Sequence, residues 1–410
     1  MSDSQSVSFS DSPHNRQTSN NNPTIPIEIV SEEEMALLEA ALAATRSSFS
    51  SSDIPSICSP SPSSQFQMNA RCVSSITLLS KRGLSCCSRP DIEDFGGTQK
   101  RNRVPESLLQ RFRKNRALSV TDFTNTEWCE KQTEFSLLFG KRKVNKAMKA
   151  GSVRHAKLEE EIVKKVKVRV KSAEDIWALK FLNFITGANQ LQFEGLTREL
   201  PLIGFVEGVW LVGVMDEIRL PLSETNRCPV LVDTKTRVRD TLPAEPQRRN
   251  GRLQLMCYKY LWDSLVAEKF SSRQFFEFFS LDPYYLLCEE IHLSTVSSGF
   301  PAKTLNDVVR FFRNTCSMFL PAHEQLLLRY ELQKDNSVLA EDHFTYDPDW
   351  LKSQLQRCLE FWLGEREASF VPEEEQWKCH YCQFAYMCPA TSKPDSMPSP
   401  EKTNTDGTPS

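Results

Sequence analysis

The chain has 410 residues and carries 50 Lys/Arg against 53 Asp/Glu, a formal net charge of −3. That balance excludes a globally basic, histone-like binder while leaving room for a local basic groove. The absence of a run of about 18 apolar residues excludes a spanning helix. The 14 glycines form neither GxGxxG nor GxxxxGK(S/T), which excludes the dinucleotide and P-loop fingerprints.

Residues 1–103 read as a disordered, Ser-rich leader. Serine fills 18 of the first 70 positions, with Asn20-Asn21-Asn22 and an SPSPSS run at 59–64. Such a stretch buries too little apolar surface to offset its ordering entropy. One island stands out: Ile27-Glu28-Ile29-Val30 precedes Glu32-Glu33-Glu34, and Ser31 with Glu34 forms a capping box for the helical MALLEAALAA. A branched run with an acidic flank is similar to a SUMO-interacting motif, which adds a strand to a partner's sheet edge. The plainer alternative is a lone amphipathic helix. Asp3 and Asp11 argue against a transit peptide at the start of the chain. The segment Met68–Pro90, with Arg71, Lys81, Arg82 and Arg89 and no acid, has the pattern of an organellar presequence.

Order is expected over 104–390, followed by a disordered Pro/Ser/Thr tail at 391–410. Residues 143–170 and 176–186 read as helices. Two strands are expected within 196–220 and a third at 228–237, buried on both faces at Val230–Val232. A helix follows at 250–268. FFEFFSLDP and YYLLCEEIHLS read as two further strands, and 303–316, 319–333 and 348–366 as helices. Helices flanking a small mixed sheet make the fold class α/β.

Asp216 ends one strand in GVMDEI, and Asp233-Thr234-Lys235 ends the next in VLVDTK. Residues i and i+2 of a strand share a face, so Asp233 and Lys235 project together. If the strands are neighbours, Asp216 joins them. Two carboxylates that close repel unless a divalent cation lies between them. Oxygen ligands suit Mg²⁺ or Mn²⁺, and the lysine can position water and offset phosphate charge. This is the chemistry of phosphodiester hydrolysis, although a D-x-K triplet on its own is commonly a solvated strand end. His155 and Glu159 share a helical face upstream, and His155 is a candidate third metal ligand. Gln254 and Tyr258 share a face of the 250–268 helix. They can contact DNA or order a water, or belong to an ordinary amphipathic helix.

Of the 13 cysteines, three fall in WKCHYCQFAYMCP, as Cys379-x2-Cys382-x5-Cys388. In a chain without a secretory signal pattern, such clustering points to metal rather than disulfides. On spacing alone both zinc and a 4Fe–4S cluster fit. The fourth ligand must be distant: Cys257, Cys288, Cys316 and Cys358 read as core, so Cys129 is the best candidate and Cys228 the next. A Cys129 ligand would close a loop of about 250 residues, at a cost that rises slowly with length.

Together, LSVTDF (118–123), WCEKQ (128–132), GSVRHAKLE, GVMDEI, VDTKTR, LQLMCYKY and CHYCQFAYMCP resemble the exonuclease V family, in the RecB-like branch of the PD-(D/E)xK nucleases. The resemblance covers roughly 104–390. It implies a restriction-endonuclease-like core closed by a 4Fe–4S cluster on Cys129, Cys379, Cys382 and Cys388. It further implies metal ligation by His155, Asp216 and Asp233, a catalytic Lys235, and Gln254 and Tyr258 on the family's Q-x3-Y. Asp233 stands where many members carry Glu. The implied activity is single-stranded DNA exonuclease in DNA repair, 5′–3′ or bidirectional, by a monomer. A non-catalytic single-strand-binding module and a SUMO-linked scaffold with a structural metal are the rivals. SUMO or a single-strand-binding protein are candidate partners, no membrane is expected, and the nucleus is the first expected compartment, with chloroplast or mitochondrion the alternative. Local charge agrees: 141–171 holds 12 Lys/Arg against 3 Glu, and 100–120 holds 7 against Glu106, which suits a phosphate backbone.

Overall fold

The computed structural model describes residues 27–31, 106–140, 144–161, 164–170, 172–221 and 227–391. The chain divides into one unit of Met1–Thr45 with Glu106–Ser410 and a second, Arg46–Pro105, which lies outside the described residues. The expected 32–44 helix, the presequence-like 68–90 stretch and the tail after residue 391 also lie outside them.

In chain order the elements are β1 (Ile27–Ser31), α1 (Leu108–Arg113), β2 (Leu118–Ser119), α2 (Val120–Trp128), α3 (Glu130–Phe139), α4 (Lys146–Glu160), β3 (Lys164–Val168), α5 (Ala173–Glu194), β4 (Leu196–Val206), β5 (Val209–Arg219) and β6 (Val230–Arg237). Then come α6 (Glu245–Val266), α7 (Ser272–Phe279), α8 (Glu289–Ser297), α9 (Leu305–Cys316), β7 (Gln325–Leu332), β8 (Val338–Thr345), α10 (Pro348–Leu363) and a 3₁₀ segment at Glu373–Tyr381. The main sheet runs β4-β5-β6-β7-β8, with the short β2 parallel to β5 at Leu211 and Val212. β4–β5, β5–β6 and β7–β8 are antiparallel, while β6–β7 is parallel. The α/β expectation therefore holds as a small mixed sheet flanked by helices.

Two helices dominate the core. α5 is capped by Ser172, which accepts from the Asp175 amide, and ends at Gly195 in the left-handed region (φ 76°). It carries Phe181 and Phe184 into an aromatic cluster with Trp210, Phe270, Phe275 and Phe312. α6 starts with a proline in its first turn, where the missing N–H costs nothing. It buries Leu253, Leu255, Tyr258, Leu261 and Trp262. The close approach of α6 to the sheet requires Gly213: a Cβ there would meet Tyr258 Cε1 at 2.5 Å and Val120 Cγ2 at 2.9 Å.

Four sequence expectations are corrected. The 143–170 helix ends at Glu160, and Lys164–Val168 is a strand, as alternating Lys and Val favour. FFEFFSLDP and YYLLCEEIHLS are helical over Ser272–Phe279 and Glu289–Ser297. Aromatic content suggested strands, but Phe275, Phe276 and Phe279 have helical spacing, and Ser271 caps the turn by accepting from the Gln274 amide. Residues 325–332, expected within a helix, form β7. Leu326, Leu327 and Leu328 are all buried, as befits a strand with neighbours on both edges. The Ile27–Val30 run is a strand paired in parallel with β3.

Candidate active site and cysteine centre

The hairpin turn Glu207-Gly208 has positive φ at both residues, 45° and 89°, the conformation of a tight two-residue turn. It pairs Val206 with Val209 and thereby sets the register down to Leu200↔Met215 and Arg198↔Glu217. Between those pairs, Glu199 stands opposite Asp216. On the other edge of β5 the ladder with β6 ends at Glu217↔Val232, one residue short of Asp216 and Asp233. Three acids thus form a row across β4, β5 and β6 at the point where β5 and β6 separate. Glu199 sits at φ 51°, a left-handed conformation that costs a non-glycine residue about 1–3 kcal/mol and tends to persist at functional sites.

Lys235 lies on the same face as the fully buried Asp233. Its ammonium donates to Asp233 Oδ1 at 3.0 Å and to Gln254 Oε1 at 2.8 Å, and lies 2.7 Å from Asp233 Oδ2. Gln254 in turn donates through Nε2 to the Tyr258 hydroxyl at 3.4 Å. The Thr234 amide donates to Asp216 Oδ2 at 3.2 Å. From α4, His155 Nδ1 reaches to 3.5 Å from Glu199 Oε1 and 3.7 Å from Asp216 Oδ2.

The electrostatics follow from crowding. Burial and the neighbouring Asp233 charge push the Asp216 carboxyl well above its ordinary range. Burial would lower the His155 imidazole, but the hydrogen bond to Glu199 and the Asp216 and Asp233 charges push it up to about 9. Burial opposes charge on Lys235 too, and the two aspartates outweigh it and raise its pKa. Ligand atoms of His155, Glu199 and Asp216 all lie within 4.8 Å of one another. Oxygen-rich, with one imidazole and a net negative charge, the set fits a hard divalent cation.

His155, Glu199, Asp216, Lys235 and Gln254, with Asp233 buried behind them, open into a cleft of about 1350 Å³, lined also by α4 (including Gly151, Ser152 and Glu159), by α5 (Trp177, Lys180 and Asn183) and by Arg237 and Asn250. α4 lies along this cleft, but its own Lys and Arg residues do not line it; the lining cations are Lys180, Lys235 and Arg237. Of the 100–120 stretch Ser119 and Val120 line it, but none of its cations among the described residues does, and Arg113 is held by Asp122 at 2.7 Å.

Cys129, Cys379, Cys382 and Cys388 line one small cavity, with Gln132, Phe135 and Lys378. Gln132 joins the halves, its amide donating to Cys129 Sγ at 3.4 Å and its side chain to Cys382 Sγ at 3.3 Å. Burial and the other three sulfurs push the Cys129 thiol up to about 11, an arrangement a bound cation would relieve. Cys228 does not line the cavity, whereas Cys257, Cys316 and Cys358 are buried in the core. Among the described residues no three of these four sulfurs lie within 4.8 Å of one another. Four thiols brought together from the two ends of the unit fit a zinc or an iron–sulfur centre.

The structure brings together every residue that the sequence singled out for the acid–lysine set: His155, Asp216, Asp233, Lys235 and Gln254. Tyr258 is almost wholly buried behind Gln254. Glu159 is also buried, one helical turn beyond His155, and lines the cleft. Sequence reasoning missed Glu199. The signal was available: a two-residue turn at Glu207-Gly208 fixes the register, and counting eight residues out on each side of it places Glu199 against Asp216.

The sequence model of a family described as "Exonuclease V - a 5' deoxyribonuclease" matches residues 107–229, 220–301 and 289–389. Exonuclease V of Danio rerio is 29% identical over 303 residues, covering 72% of this chain and 76% of that protein. A mitochondrial exonuclease V of Candida dubliniensis is 34% identical over 61 residues, 15% of this chain and 10% of that protein. Among the described residues no helix is long and apolar enough to cross a membrane. Because the family match extends from α1 through the last cysteine, and so across the whole acid row, the chain belongs to the exonuclease V family and is an exodeoxyribonuclease, a hydrolase of phosphodiester bonds.

Proposed function

We propose that this exonuclease is divalent-cation dependent, acts on single-stranded DNA in repair from 5′ ends or from either end, and is built on the PD-(D/E)xK core of the RecB-like branch. The observation that carries this reading is the row Glu199–Asp216–Asp233 beside Lys235 in an open cleft. Asp216, Asp233, His155 and Glu199 would hold Mg²⁺ or Mn²⁺, which supplies Lewis acidity and charge neutralisation at a phosphodiester. Lys235 remains protonated and faces the same space, where its ammonium can offset charge developing on phosphate oxygens. Gln254 holds that ammonium in place, and Tyr258 holds Gln254. Lys180, Arg237 and the ring of Trp177 along the cleft suit a strand's phosphates and bases.

Cys129, Cys379, Cys382 and Cys388 are assigned to a 4Fe–4S cluster with a structural role. The mitochondrial names of the Candida relatives, with the presequence-like 68–90 stretch, support an organellar address over a nuclear one. The pairing of Ile27–Val30 within this chain gives the SUMO-scaffold alternative no added support.

On a 5′-labelled single strand with Mg²⁺, the wild-type protein is expected to release label and EDTA to stop it. Asp216→Ala and Lys235→Ala should each lose roughly 10²–10³-fold or more; full activity in either removes the site assignment. Glu199→Gln is expected to lose on the order of 10–100-fold and to require more Mg²⁺; an unchanged Mg²⁺ requirement would take Glu199 out of the ligand set. Metal analysis of anaerobically purified protein should find iron, and stoichiometric zinc in its place would refute the cluster.

A further inference from the structure

The catalytic helix and the cysteine centre are joined by one compact ionic network. Arg249, on the second turn of α6, donates through Nε to Glu127 Oε1 at 2.6 Å. It also donates through Nη1 and Nη2 to the two oxygens of Glu375, at 2.9 and 3.3 Å. The next residue, Asn250, donates to the other Glu127 oxygen and to the Thr124 carbonyl, both at 2.7 Å. Glu127 stands two residues before Cys129, and Glu375 four before Cys379. Lys378, adjacent to Cys379, closes the circuit. It pairs with Glu375 at 2.5 Å, donates to the Trp128 carbonyl at 3.1 Å and lies 4.1 Å from the Trp128 ring centroid.

The Glu127 and Lys378 side chains are only 5% and 2% exposed, so these charges rely on each other rather than on water. One turn beyond Asn250, Gln254 accepts from the Lys235 ammonium. Between them, Gly251 lets α6 pack closely on the sheet beside that lysine: a Cβ there would lie 3.2 Å from Leu328 Cδ1.

We propose that Arg249 is a positioning residue that couples the cysteine centre to the active site. Both halves of the cysteine set grip α6 through its forked guanidinium, and α6 in turn fixes Gln254 against Lys235. The inference rests on the reading of the four cysteines as one metal-binding centre, but not on which metal fills it. Loss of that centre would free Glu127 and Glu375 to move apart, and α6 would lose the anchor that sets the height of Gln254. The fork suits the task because a guanidinium's planar donors engage Glu127 and both Glu375 oxygens at once, three contacts in a fixed geometry that a single ammonium nitrogen does not reproduce.

The test is a double-mutant cycle on the full chain with Arg249→Lys and Cys388→Ala, read by kinetics on a labelled single strand and by amide hydrogen exchange over 249–258. Arg249→Lys keeps the charge and so protects folding. Each single change is expected to lower kcat by roughly 10–100-fold with KM within about twofold, and to speed exchange across 249–258. Combined, they should cost well under the product of the two losses, since both break the same link. Multiplicative losses, or faster exchange confined to the cysteine segments in Cys388→Ala, would overturn the coupling. The exchange measurement does not depend on turnover, so an absence of nuclease activity would defeat the functional reading while leaving this inference separately decided.

Discussion

Everything at the centre of this protein turns on like charges held side by side. Glu199, Asp216 and Asp233 occupy adjacent positions on three neighbouring strands, an arrangement that a sheet disfavours unless something offsets it. Partial compensation comes from this chain's own Lys235 and His155. The remainder is exposed to the cleft, where a divalent cation and the phosphates it attracts can complete it. The left-handed backbone at Glu199 and the early end of the β5–β6 ladder belong to the same device: one turns a carboxylate toward the row, the other opens space in front of it.

The rest of the fold keeps that arrangement from relaxing. Behind the acids, α6 presses Gln254 onto Lys235, and Tyr258 packs against the strand at Gly213, where a Cβ would collide with its ring. Segments about 250 residues apart in sequence meet at the four cysteines, so the first helices and the last short turns clamp the same helix, α6. A long loop is closed there at a modest extra entropic cost, and the ends of the nuclease unit are tied where fraying would otherwise begin.

Much of this was legible in the residues. The acid–lysine strands announce themselves because two apolar strands in succession each carry an acid near the end, with Lys at i+2 of the second, and the cysteine spacing is dense. Where the reading failed, composition misled periodicity. FFEFF is rich in strand-favouring aromatics, yet its buried positions follow a helical step; QLLLRYEL is rich in helix formers, yet a central sheet position needs an uninterrupted apolar run. Glu199 was hidden for a different reason. Nothing near it in sequence marks it, and its role exists only through the register set by a turn eight residues away.

The most direct test of the account is the thermal stability of wild type and Asp216→Asn at pH 8, with EDTA and with Mg²⁺. If the acid row is a cation site held together against its own repulsion, Asp216→Asn keeps the hydrogen bond from Thr234 and removes a charge. The variant should then melt higher than wild type in EDTA, by about 2–4 °C for each kcal/mol of relieved repulsion. Mg²⁺ should raise the melting temperature of wild type and leave the variant unmoved. A variant that melts no higher than wild type in EDTA, and that responds to Mg²⁺ as wild type does, would contradict it.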